Sequence, residues 1–195
     1  MGAPMASDAG MEVLTGPRNL DHVRRAVAES GYQGERAVVP IPTDLLTLKA
    51  MGEVGVDMLK RLGINVEPRY TDWGSAIQLL AKMEPVEQGG WSALHTSWSG
   101  FDQFDPAVHL WIRGNGRQAT RGWPESPQLE ALRDAWFRAD DITDQRRIAA
   151  DIQRQVFVDV PYIPLGQYLP LTVFQRTIVD VLSGYPLFWN LRKAE

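Results

Sequence analysis

Between residues 36 and 98 the sequence alternates short apolar runs with helical patterns, and this alternation restricts the fold more than any other feature. Arg36-Ala-Val-Val-Pro-Ile41 is a β-type run that Pro40 interrupts. Thr43 suits the cap of a long helix to Leu62, with Gly63 as its stop. Leu48, Met51, Met58, Leu59 and Leu62 form the apolar side of that helix. Gly52 and Gly55 each weaken it by about 1 kcal/mol relative to Ala, which points to close packing on a sheet. Ile64 to Tyr70 predicts a second strand. Asp72 then caps a helix with Trp73, Ile77, Leu80 and Met83 inward, and Trp91 to Trp98 predicts a third strand. Strand, helix, strand, helix, strand implies an α/β fold with a parallel sheet and right-handed crossovers. Ligands meet such sheets at loops beyond the strands' carboxyl ends, here Trp98 to Pro106.

The flanks are helical and irregular. With 195 residues the chain is expected to hold one domain, or one domain with an appendage. Residues 1–15 lack a period and read as a poorly ordered leader. Gly16-Pro17 opens a helix carrying Leu20, Val23 and Val27, with Gly31 at its end. Ala107 to Pro124 is polar and Gly-rich and reads as a surface loop, with a short helix near Ala107 to Trp111. Ser126-Pro127 begins a helix with Leu129, Leu132 and Trp136, and Thr143 caps another with Ile148, Ile152 and Val156. Gln167 to Thr177 looks β-like. The aromatic tail Gly184 to Trp189 has no evident partner within the chain.

Composition removes several classes of function. The net charge of −4 disfavours nucleic acid or an anionic membrane as main partner. No apolar run reaches the roughly 18 residues of a membrane-spanning helix. Without cysteine there are no disulfides, thiolate metal sites or thiol nucleophiles. His95 and His109 lie far apart in sequence, with no His-x-x-x-His pair, so no metal site is expected. Nucleophile-elbow and phosphate-loop motifs are missing, and no cofactor is expected. Arg113, Arg117 and Arg121 recur every four residues, but the glycines among them favour a solvated loop over an anion-gripping helix. Asp102 and Asp105 offer paired carboxylates for a glycosidase-type reaction, against the simpler reading that one caps the turn before Pro106. The aromatics Trp91, Trp98, Phe101, Phe104, Trp111 and Trp123 crowd one stretch. Flat aromatic walls with few polar groups suit a small organic solute that is held without reaction.

Several segments, in order, resemble the extracellular solute-binding proteins of family 5, the peptide/nickel type that serves ABC importers. They are Arg18-Asn-Leu-Asp-His-Val-Arg-Arg-Ala with Gly31-Tyr32, Met58-Leu-Lys-Arg-Leu-Gly-Ile-Asn-Val66, and Thr71-Asp-Trp73. Trp98 through Asp105-Pro106, Ser126-Pro-Gln-Leu-Glu-Ala-Leu and Val160-Pro-Tyr-Ile-Pro-Leu165 complete the set. The resemblance implies a C-terminal fragment: a periplasmic-binding-protein type II-like lobe with βαβ units over residues 16–165. Residues 166–195 would then return toward a missing N-terminal lobe. It further implies a non-enzyme binding a small-molecule solute such as a peptide, ABC transporter permease subunits as partners, and a periplasmic or extracellular location. In peptide-binding relatives a loop Trp stacks on ligand and an Asp three residues later holds the amino group. Trp98 matches the first, while the second position is Phe101, with Asp102 displaced by one. The ligand residues implied are Trp98, Phe101, Asp102 and Phe104. A glycosidase using Asp102 and Asp105, or an interaction module using the aromatic tail, are the alternatives.

Overall fold

The computed structural model describes residues 3–184 and 187–194. Tyr185 and Pro186 of the aromatic tail lie outside the described residues. The chain divides after Pro161 into two compact units. In the first unit the elements are α1 (Glu12–Thr15), α2 (Leu20–Glu29), β1 (Ala37–Pro42), α3 (Leu46–Arg61), β2 (Val66–Thr71), α4 (Trp73–Leu80), α5 (Pro127–Phe137) and α6 (Ile142–Asp159). The second unit holds the short antiparallel pair β3 (Ile178–Val179) and β4 (Arg192–Lys193).

β1 and β2 pair in parallel, Ala37 opposite Val66 and Pro42 opposite Thr71, with α3 as the crossover. This is one βαβ unit. Val39, Ile41, Val56 and Val66 form its buried core, with Leu59, Ile64 and Ala93 packed around them. β1 is buried on both faces, as strands of covered parallel sheets are. The glycines of α3 make the close packing possible. A Cβ on Gly52 would lie 3.1 Å from Ile41 Cγ1, and one on Gly55 would overlap the His95 ring. α5 and α6 pack on each other through Leu129, Trp136, Ile148, Ile152 and Val156. Residues 4–9 lie along α6: Gln153 Nε2 donates to the Ala9 carbonyl at 2.6 Å, and Arg146 Nε to that of Pro4 at 3.1 Å.

Three helix starts differ from expectation. α2 begins at Leu20, capped by Asn19, whose side chain accepts from the His22 N–H at 3.0 Å. Thr43 does not cap α3, because its N–H extends the β1–β2 ladder to the Thr71 carbonyl at 2.8 Å. α6 is capped by Asp141, which accepts from the Thr143 and Asp144 N–H groups. Asp72 and Ser126 cap α4 and α5 as expected.

The expected third strand does not form, and the phase of two prolines explains it. The Ala37 N–H donates to the Asn65 carbonyl and the Thr43 N–H to that of Thr71, so odd-numbered residues of β1 face β2. Even-numbered residues Val38, Pro40 and Pro42 face the other edge. Val38 bonds Ser92 there twice: its N–H donates to Ser92 Oγ at 3.0 Å and its carbonyl accepts from the Ser92 N–H at 2.8 Å. Beyond Val38 that edge has no donor, since proline carries no N–H. Residues 94–99 therefore leave the sheet as irregular chain. Gln167 to Thr177 forms no strand either, and Leu169, Leu171 and Val173 are almost fully exposed.

Candidate functional site

Where the chain departs from the sheet it forms a half-open chamber against α4. Trp73, Ile77 and Leu80 lie on one face of this helix at helical spacing. The helix start is held twice, by the Asp72 cap and by the Trp73 N–H donating to Asp44 Oδ1 at 2.9 Å. Leu94, Thr96, Ser97, Trp98 and Ser99 form the opposite wall, with Trp111 and Arg121 closing it. A strand would turn only alternate residues to one side; here four consecutive residues line the space. The chamber measures about 350 Å³, within the range of small-ligand sites. Trp98 and Trp111 meet edge-on, centroids 5.8 Å apart and planes at 72°.

Of the residues expected to bind ligand, only Trp98 lines this chamber, and it is 43% exposed. Phe101, Asp102 and Phe104 lie just beyond it. Phe101 and Asp102 belong to a 3₁₀ turn at Gly100–Gln103, which Ser99 caps by accepting from the Phe101 N–H at 3.1 Å. Phe101 and Phe104 are exposed and stack on each other at 6.3 Å. Asp102 is exposed. Asp105 Oδ1 accepts from the Ala107 and Val108 N–H groups at 2.8 and 3.3 Å, the turn-capping role weighed against a catalytic one. Among the described residues no group of three metal-ligating side chains comes together.

Residues 105–126 carry Trp111 and Arg121 and are tied down along their length. The short helix expected at Ala107 to Trp111 is a single 3₁₀ turn, Leu110–Ile112. The Gly114 N–H donates to Glu130 Oε1 at 2.7 Å, while Arg133 Nη1 holds both oxygens of the same carboxylate at 2.8–2.9 Å. The Ser126 N–H returns to the Gly114 carbonyl at 2.8 Å, and Ser126 Oγ donates to Asp159 Oδ2 at 2.6 Å. No helix runs through Arg113, Arg117 and Arg121, so they form no stripe. Arg117 instead lines a shallow groove with Lys82.

Two histidines in this region are held below the usual imidazole range. Burial lowers the His95 pKa. Burial, aided by the charge of Arg133, lowers His109 to about 4, against an opposing backbone hydrogen bond. The unfolded chain binds a proton near 6.5, so the contribution of His109 is complete above that pH and is lost as pH falls toward 4. Acidification from pH 7 to 4.5 is expected to cost about 2–3 kcal/mol through His109. Urea titrations of wild type and His109→Gln at both pH values check this, the variant showing the smaller loss. Equal losses would contradict it.

No family model matches the chain. It is 29% identical, over 175 residues, to a probable peptide ABC transporter periplasmic-binding protein of Sinorhizobium fredii (strain NBRC 101917 / NGR234). The match covers 89% of this chain and 33% of the relative. The chain is thus similar to a protein named as a probable periplasmic-binding protein of a peptide ABC transporter. It spans about a third of the length of that curated relative. Solved structures agree on the fold. HbpA2 from Haemophilus parasuis superposes with a TM-score of 0.63 at 15% identity, covering 91% of this chain and 36% of that one. AppA from Clostridium difficile also gives 0.63 at 15% identity, covering 80% and 31%. The fold is thus an α/β lobe of the type II periplasmic-binding kind.

Within this lobe, sequence reading missed most of the chamber. Trp73, Ile77 and Leu80 carry the same spacing as a core-facing helix stripe, and Trp111 was visible only as one of a crowd of aromatics.

Proposed function

We propose that the chain is the second-lobe portion of a solute-binding component of an ABC importer, and that the chamber beside α4 receives the solute. The observation that carries this is Trp98, half exposed on the wall of a chamber whose other indoles are Trp73 and Trp111. Such a wall offers large, rigid contact area with few polar demands. Phe101, Asp102 and Phe104 stand exposed on the adjoining turn, and meet solute or the opposing lobe on closure. Contacts made only in the closed form would shift an open–closed equilibrium that the permease subunits read. No catalytic step is assigned, which fits relatives named as binding proteins. The full-length protein would act in the periplasm or outside the cell.

The exposed apolar surface supports a missing first lobe. α2 buries none of its residues, and Ile163, Leu165, Leu169, Leu171 and Val173 stand open. Patches of this kind mark interaction surfaces. A peptide panel titrated calorimetrically into the protein tests the assignment. Trp98→Ala is expected to weaken the best-bound member at least tenfold, within the roughly 1.4 kcal/mol or more an aromatic anchor supplies. Unchanged affinity would remove Trp98 from the site.

A further inference from the structure

We propose that the chamber selects an organic anion, a carboxylate on an apolar or aromatic body, with Arg121 as its anchor; this rests on reading the chamber as the solute site. Arg121 is the only charged residue in the lining, and no carboxylate lines the space with it. The remaining wall is Trp73, Trp98, Trp111, Ile77, Leu80 and Leu94, relieved by three hydroxyls.

Arg121 is half-buried and makes no ion pair or hydrogen bond with any described residue. Nine other arginines are ion-paired among the described residues, and Arg121 is the one of the remainder that lines the chamber. Donors left without acceptors in a partly dry site are costly and favour a guest that supplies oxygen atoms. A carboxylate meets a guanidinium with two parallel charge-assisted hydrogen bonds, and its apolar body would lie among the indoles. A cationic solute would instead bring like charges together. Asp102, the one acid the sequence offered for an ammonium group, is not part of the lining.

The probes are 3-phenylpropanoate, 3-phenylpropanamide and 2-phenylethylamine, titrated calorimetrically into the full chain. The carboxylate is expected to bind at least tenfold tighter than the amide, and the amine weakest. In R121Q the carboxylate's advantage over the amide falls below twofold, and indole resonances of the free protein unchanged from wild type report that the chamber is intact. R121K keeps the charge and retains at least a threefold advantage. Equal binding of carboxylate and amide to wild type, an advantage preserved in R121Q, or one abolished in R121K overturns the anion assignment and leaves the chamber standing. Failure of all three probes to bind, with the Trp98 indole resonance unmoved, overturns both.

Discussion

Gly55→Ala is expected to destabilise the chain by about 2–3 kcal/mol, the upper range for overpacking a well-filled core. Alanine would ordinarily improve a helix interior by about 1 kcal/mol, so helix propensity alone gives the opposite sign. Packing decides the outcome, because the added methyl would occupy the space of the His95 ring. That ring sits against α3 with its Nδ1 buried and unbonded among the described residues, so packing alone sets its position. Removing the ring should therefore rescue the substitution. Urea unfolding of Gly55→Ala, His95→Ala and the double variant is expected to give a coupling of at least 1 kcal/mol in favour of the pair. Additive losses would mean that the helix gives way elsewhere.

Glu130→Ala is expected to cost about 2 kcal/mol, because it removes the half-buried acceptor of a buried guanidinium and of a backbone N–H. Its carboxylate holds two groups that have no better recourse: the Arg133 guanidinium, buried within α5, and the Gly114 N–H of the loop. Truncation leaves a buried cation and an orphaned backbone donor together. Glu130→Gln retains an acceptor for Gly114 and should lose about half as much. The loss has a consequence for the chamber, since Trp111 lies three residues before Gly114. Hydrogen exchange in residues 110–116 should quicken in Glu130→Ala more than in α3. Uniform change across the chain would separate this loop from the carboxylate.

How far the fold was legible follows from the same residues. The runs at 37–42 and 66–71 declare themselves because both strands are apolar or alternating and bounded by turn residues. The failure of the third strand was also written there, in Pro40 and Pro42, but their effect depends on which edge they face. That phase is fixed only once β1 pairs with β2. Trp98 stood out because it sits past an apolar run among loop residues. Trp73 did not, since a helix shows the same spacing whether its face meets a core or a cavity. Arg121 looked like one member of a regular stripe, and only the irregular path of residues 113–121 sends it to the chamber.

The central claim is that a solute lies among the indoles of Trp73, Trp98 and Trp111. It is tested most directly by the indole N–H resonances of the seven tryptophans, assigned by substitution and followed as the best-binding panel member is added. The account predicts shifts at Trp73, Trp98 and Trp111 that saturate together, with Trp136 in the α5 core unmoved. Saturating shifts that leave these three still, or that centre on Trp136 or Trp189, would contradict it.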